Sequence, residues 1–338
     1  MKELRQIREE IDAVDAQLSK LIEHRLRLAD AVAAAKRASG MVVGDPVREQ
    51  EILDCVSAQV GPDVASDVRA LYSAMFDVSK HRQRVQLSPQ RGPVAHGEYE
   101  FRVRSYECGE SGEATLVTIC NYLQEAASLH AEMLGFSKSD FVAEGANLSW
   151  VLTRMCVRMR RYPHWEERVR VETWPSGGRK IAATRDFRLR VGDELIGVAT
   201  TEWMIIDLAT RKIVAVPQRV YDLSDVEGPR ALSGHQFAKL RWDCRAMSDE
   251  QRFRARRGDI DLNGHVNNVH YVEWLLEALP AGVGPIADFE IAFRSETLAG
   301  DEVLAEAAEV EPRLWAAHVA AAGGGDHVVA RIAVANGP

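Results

Sequence analysis

The stretch "DIDLNGHVNNVHYVEWLLEAL", residues 259–279, decides how the rear of this chain is read. Its second half is a helix by periodicity: Val266, Val269, Val272, Leu276 and Leu279 recur at three- and four-residue steps and bury one face. Its first half crowds Asp261, Asn263, His265, Asn267 and Asn268 into the mouth of that helix. One capping residue is enough to start a helix. Asn263-Gly264 marks a turn, so the chain reverses there and enters a buried helix. A helix N-terminus offers free N–H groups and a positive dipole end. A carbonyl placed there is polarised, and a carboxylate and an imidazole nearby can position and deprotonate a water. Histidine is the residue type in this cluster suited to base work near neutrality. The plainer reading makes Asp261 or Asn263 the cap and His265 a polar first-turn residue; five polar side chains in this order favour chemistry.

The pattern occurs twice. A second apolar-faced helix, "ATLVTICNYLQEAASLHAEML", precedes strand-like runs near 148–160, 167–175, 180–191 and 194–207. The quoted helix precedes runs near 285–295, 302–311, 314–322 and 327–335, and a less regular connection spans roughly 222–252. A helix followed by an antiparallel sheet, used twice, predicts a sheet wrapped around a helix and then repeated.

Residues 1–86 have a different texture. They hold no Trp, few Gly and many Ala, Arg and Glu, and a Pro/Gly-bearing linker follows near 84–98. Leu4, Ile7, Ile11, Val14, Leu18, Leu21, Leu28 and Val32 keep a seven-residue rhythm. Gly40 and Gly44 end it, Asp45-Pro46 starts a second helix, and residues 63–86 make a third. One long and two short helices close a poor core alone, which predicts an intertwined dimer. Arg25 stands where the rhythm asks for an apolar residue, and a guanidinium in a seam is costly unless an anion meets it. Lys36 returns to within about 20° of the same direction at about 100° per residue. Arg8 is about 100° away on the same arithmetic and reaches such a pocket only from a partner chain. Arg48 and Glu49 open the second helix, while Ser79 and Gln83 lie one turn apart on the third. Fixed cations and a Gln in a dry pocket suit a small dianion whose transition state gains charge on oxygen.

The totals exclude other classes. The chain has 338 residues, 46% hydrophobic and 27% charged, with a formal charge of −8, which argues against a general nucleic-acid binder. Five widely spaced cysteines with no C-x-x-C fit a reduced, cytoplasmic protein better than a disulfide framework or a zinc site. "MKELRQIREEID" has no apolar h-region, so no signal peptide is expected, and no run is long enough for a membrane span.

Two resemblances sharpen the reading. Residues 1–84 resemble the all-helical chorismate mutases through "IREEIDAVD", "EHRLRLADAVAAAKR", "GDPVREQEIL" and "FDVSKHRQ". The resemblance implies that Arg8 (from the partner), Arg25 and Arg48 hold the substrate carboxylates and that Lys36 and Gln83 address the ether oxygen. Glu49 and the Asp45 segment would hold the ring hydroxyl, and Ser79 would add a donor. The reaction, chorismate to prephenate, needs placed charge and no cofactor. The isochorismate-pyruvate lyases share the fold and rank second, and a chorismate- or prephenate-sensing dimerisation module is a third reading.

Residues from about 98 to 335 resemble the acyl-acyl-carrier-protein (ACP) thioesterases of plants and bacteria, tandem hotdog folds, through residues 103–136, 150–174 and "DLNGHVNNVHYVEW". The resemblance implies that Asp261, Asn263, His265 and Glu296 (in "FRSETLAGD") are the catalytic set. The family's Cys after that Glu is Thr297 here, which favours attack by an activated water over a covalent route. The first hotdog has "CGESGEAT" in place of the polar mouth, so one site per chain is expected. The resemblance also implies that the first helix and its sheet line an acyl tunnel, to which Asn121, Leu123, Met133 and Trp150 could contribute. Arg154, Arg158 and Arg160 alternate with Met155, Val157 and Met159, giving either a solvated strand face or a docking face for an acidic carrier. The expected organisation is a multidomain chain: an all-α mutase domain over 1–86, a linker over 87–98, a first hotdog over 99–225, a connection over 226–252 and a second hotdog over 253–338. The expected partners are chorismate, acyl-ACP or acyl-CoA, and a second copy of the chain, with no metal or cofactor.

Overall fold

The computed structural model describes residues 4–39, 46–87, 96–226, 228–242 and 250–335. Contacts divide the chain into two compact units, residues 1–92 with 139–146, and residues 93–138 with 147–338.

The first unit is helical. Helix α1 (Leu4–Ser39), α2 (Pro46–Ala58) and α3 (Ala65–Leu87) follow the predicted punctuation within two residues, and α3 packs on both others. The heptad stripe does not close this unit's core. Leu4, Ile11, Val14, Leu21 and Leu28 are each more than half exposed, so α1 turns its apolar stripe outward.

The second unit is a sheet with two long helices. Its helices are α4 (Leu116–Met133), the short α6 (Gln218–Asp222) and α7 (Asn268–Glu277), while the short α5 (Lys138–Ala143), between α4 and α6 in sequence, belongs almost wholly to the first unit. In chain order the strands are β1 (Gly97–Arg102), β2 (Leu148–Met159), β3 (Arg168–Arg179), β4 (Ala182–Val191), β5 (Glu194–Asp207) and β6 (Lys212–Val214). They continue as β7 (Gln251–Arg254), β8 (Ile286–Phe293), β9 (Glu302–Glu311), β10 (Leu314–Ala321) and β11 (Asp326–Val334). The spatial order is β1-β3-β4-β5-β2-β8-β11-β10-β9-β7, all antiparallel, with β6 beside β5. A six-stranded half, β1 to β6, and a five-stranded half, β7 to β11, therefore meet at the β2–β8 pair. Strands β1, β6 and β7 escape sequence reading because each is short, at three to six residues.

Side-chain alternation builds the core. Met155 and Val157 on β2 face the same way as Ile291 and Phe289 on β8, their cross-strand partners, and all four are buried. Helix α4 sends Leu116, Ile119, Leu123, Ala126 and Ala127 into this core at helical spacing and packs on β1, β3 and α7. Thr115 caps it, accepting the Thr118 N–H at 3.2 Å. Burying each large aliphatic contributes about 1.5–3 kcal/mol, so Leu123→Ala, at a fully buried position, costs about 2–5 kcal/mol.

Candidate active site

Each half enters its helix by the same loop. In the second half, the Asp261 N–H donates to the His265 carbonyl at 2.9 Å and the Gly264 N–H to the Asp261 carbonyl at 3.0 Å. Gly264 takes φ +82°, a left-handed value that glycine adopts without a Cβ penalty. The Asp261 carboxylate accepts the Asn263 N–H at 2.7 Å, an Asx turn. The N-cap is then Asn267, whose side chain accepts from the Val269 N–H at 3.2 Å. The plainer reading of Asp261 or Asn263 as the cap is therefore incorrect. A reverse turn separates them from the helix, so their side chains do not reach its first N–H groups.

The loop lies against the segment after β8. The Val266 N–H donates to the Thr297 carbonyl at 3.0 Å, which brings the two preceding residues together: His265 Nε2 stands 3.0 Å from Glu296 Oε2. His265 is half-buried and Glu296 exposed at its outer edge. The Asn263 amide lies 3.4 Å from Asp261 Oδ2, and Lys138 Nζ is 3.4 Å from Asn263 Oδ1. The structure thus gathers Asp261, Asn263, His265 and Glu296 around one loop.

Three neighbours were not visible in the sequence. Arg211 binds Glu296 Oε2 from the β5–β6 turn of the first half. It takes φ +56°, and the Asp207 carboxylate, accepting the Ala209 and Thr210 N–H groups at 3.0 and 2.7 Å, holds the turn. The Glu296 hydrogen bond raises the Arg211 pKa. Lys138 comes from the segment after α4, and Gln124 on α4 accepts from the Asn268 amide at 3.3 Å. The first half therefore supplies groups to the mouth of the second.

The first half carries the same loop with other side chains. Gly109 bonds Glu113, Gly112 takes φ +77°, and Thr115 caps, as Asp261, Gly264 and Asn267 do. Ala114 donates to the Pro163 carbonyl as Val266 does to Thr297. Gly109, Ser111, Glu113 and Tyr162 thus stand where Asp261, Asn263, His265 and Glu296 stand, and Tyr162 spends its hydroxyl on the Ile286 carbonyl at 3.0 Å.

Thr297 is fully buried and offers no thiol. Burial pushes the Cys120 thiol to about 12 and that of Cys156 to about 12, leaving neither as a thiolate at neutral pH. Of the residues assigned to a tunnel, Leu123 is core, and Trp150 donates to the Phe136 carbonyl at 2.7 Å. Asn121 and Met133 are exposed and do not line an interior. Of the arginines on the outer face of β2, Arg154 donates to the Ala238 carbonyl, Arg158 is exposed and pairs with Asp288 at 2.6 Å, and Arg160 is exposed.

In the helical unit, Arg25 is half-buried. It donates to Ser79 Oγ at 3.0 Å, and its guanidinium lies 5.4 Å from the Phe76 ring centroid. Among the described residues no carboxylate pairs with it. Arg48 is exposed and bonds Glu51 at 2.8 Å, Glu49 is half-buried and Arg8 exposed. Asp45 and the side chains of Lys36 and Gln83 lie outside the described residues.

Three family models match: chorismate mutase type II over residues 7–84, the acyl-ACP thioesterase N-terminal domain over 96–223, and its C-terminal domain over 244–334. The chain joins a type II chorismate mutase domain to the two domains of the acyl-ACP thioesterase family. The thioesterase portion is 35% identical over 200 residues to a chloroplastic oleoyl-acyl carrier protein thioesterase of Coriandrum sativum, covering 54% of each chain. It is 34% identical over 195 residues to an Arabidopsis thaliana counterpart, covering 54% of each. The chain thus spans about half the length of the curated relatives it matches. An acyl-ACP thioesterase from Bacteroides thetaiotaomicron superposes with a TM-score of 0.65 at 25% identity, over 71% of this chain and 98% of the other. The 12:0-ACP thioesterase of Umbellularia californica gives 0.65 at 24% identity, over 72% and 98%. The chain thus has an all-α domain followed by a double hotdog. No helix of the described residues is long and apolar enough to cross a membrane.

Proposed function

We propose that the chain is a bifunctional enzyme that hydrolyses an acyl-ACP thioester on its second hotdog and rearranges chorismate to prephenate in its helical domain. The observation that carries the thioesterase reading is the 3.0 Å His265–Glu296 pair, beside a helix already capped by Asn267. With the His265 ring proton on Nε2, the nitrogen that faces Glu296, Nδ1 is the acceptor. It takes a proton from water as the water oxygen bonds to the thioester carbon, and the C–S bond then breaks with the proton returned to sulfur. Asp261 fixes the turn that presents Asn263, whose amide holds the carbonyl oxygen or the water. Buried thiols and Thr297 support water rather than a cysteine as the nucleophile.

The mutase reading rests on Arg25. A half-buried guanidinium set by Ser79, without a carboxylate among the described residues, suits a carboxylate ligand. Arg8, Arg48, Lys36, Gln83, Glu49 and Asp45 complete the proposed pocket, which discharges transition-state charge without a bond to protein. The exposed stripe of α1 supports a homodimer that covers it and brings Arg8 to the partner's pocket.

The test uses the full chain and two assays, chorismate consumption and release of carrier thiol. His265→Ala should lose the second and keep the first, and Arg25→Ala the reverse. A folded chain that leaves acyl-ACP intact, or acts equally on the CoA thioester, would refute the carrier assignment.

A further inference from the structure

Three polar side chains meet on the sheet face opposite α4 and α7. Cys156 on β2 and Glu290 on β8 are direct cross-strand partners in the pair that joins the two halves. Both are buried, and both alternate with residues that enter the helix-side core. The third, His235, comes from the connection. Asp186, fully buried on β4, accepts from Arg230 Nε at 2.8 Å and from the Ala231 N–H at 2.7 Å, fixing the connection over the sheet. A turn follows at once, in which the His235 N–H donates to the Leu232 carbonyl at 3.2 Å with Gly234 at φ +71°, the backbone value that a type II turn requires.

The sulfur, a ring nitrogen and a carboxylate oxygen of these residues lie within 4.8 Å of one another. His235 Nε2 and Glu290 Oε1 are buried with no hydrogen-bond partner among the described residues. Glu290 is 3% exposed, and its other oxygen faces Arg331 at 3.6 Å. Buried polar atoms rarely lack partners, and two that converge beside a thiol call for one shared ligand.

We propose that Cys156, His235 and Glu290 bind a divalent ion of the zinc type, clamping the connection onto the seam between the two hotdogs. A thiolate, an imidazole and a carboxylate are the donors that zinc takes, with water as a fourth ligand. Burial, followed by the charge of Arg158, lowers the His235 pKa, so the ring is neutral and ligand-competent near neutrality. Burial raises the pKa values of Cys156 and Glu290, and a bound cation reverses this by displacing the protons.

The test is metal titration of the full chain after stripping with a chelator, with Co(II) as a probe and Zn(II) as competitor. The expected result is one equivalent bound, with the near-ultraviolet thiolate-to-cobalt absorption, and a Tm raised by Zn(II). Cys156→Ser and His235→Ala should each remove the band and weaken binding by more than about 100-fold, beyond the 10- to 100-fold typical of outer ligands. His235→Ala lies on the connection and keeps the test open if Cys156→Ser does not fold. A folded wild-type chain with no band, a band that survives in Cys156→Ser, or a Tm indifferent to Zn(II) would overturn the site and leave a hydrogen-bonded cluster without metal.

Discussion

Glu296→Gln tests the proposed chemistry most directly, because it keeps the shape of the side chain and removes only its charge. In the structure Glu296 Oε2 meets His265 Nε2 at 3.0 Å and is shared with Arg211. A hydrogen bond formed to the charge that His265 gains as it takes the proton is worth about 1.5–3 kcal/mol. The Glu296 side chain is 40% exposed and part of its charge is already engaged by Arg211, so screening places the loss at about 1–2 kcal/mol. That converts to roughly a 5- to 30-fold fall in kcat/KM, against about 10²- to 10⁴-fold for removing the base itself in His265→Ala. The assay is thiol release from acyl-ACP, with circular dichroism to verify the fold. If Glu296 acts through the imidazole, the double variant His265→Ala/Glu296→Gln should match His265→Ala alone. A single variant within twofold of wild type would refute the reasoning, as would a double variant that loses the full Glu296 factor again.

Arg25→Ala should lower chorismate turnover by about 10²-fold or more, as should Lys36→Ala, by analogy with loss of an oxyanion donor; unchanged turnover in either would remove the mutase pocket. Leu18→Asp, in the outward stripe of α1, should convert the chain to monomers in sedimentation, and a wild-type chain that already sediments as a monomer would count against the dimer. Asp186→Asn should destabilise the thioesterase unit by about 3 kcal/mol in urea, the low end for breaking a buried pair, because Arg230 keeps 37% of its side chain in water. Burial raises the Asp186 pKa, but Arg230, the Ala231 N–H and Thr200 outweigh it, so the net shift is downward. The stability it contributes is present above the ordinary carboxylate range and is lost as pH falls through its lower folded value. The gap between wild type and Asp186→Asn should therefore close in acid, and a gap that widens there would contradict the sign.

Much of the fold was legible because it rests on periodicity. Helices α1 to α4 and α7, and the eight long strands, are read from apolar spacing alone, since burial of one face is a local pattern. The polar mouth before α7 was legible for the opposite reason: five polar residues stood where packing has no use for them. What was not legible was whatever depends on direction. The heptad stripe of α1 shows its period in the sequence, but only the structure shows that it faces out of the chain's own helical unit. Which of the five polar residues caps α7 was likewise decided by the turn over 261–265, after which Asn267 accepts the Val269 N–H.

The sequence by itself determined the two domain types, the doubled helix-and-sheet pattern and the identity of the residues around His265. The tertiary structure alone decided that Arg211 and Lys138 of the first half reach the site of the second, because each belongs to a turn or helix end whose aim is set by the sheet. It also decided that Cys156, His235 and Glu290 converge. Widely spaced cysteines argued against a metal in the linear chain, but strand register sets Cys156 against Glu290, and the Asp186 anchor lowers His235 onto them. Spacing along a chain records which neighbours share a face; only the closed sheet records which faces meet.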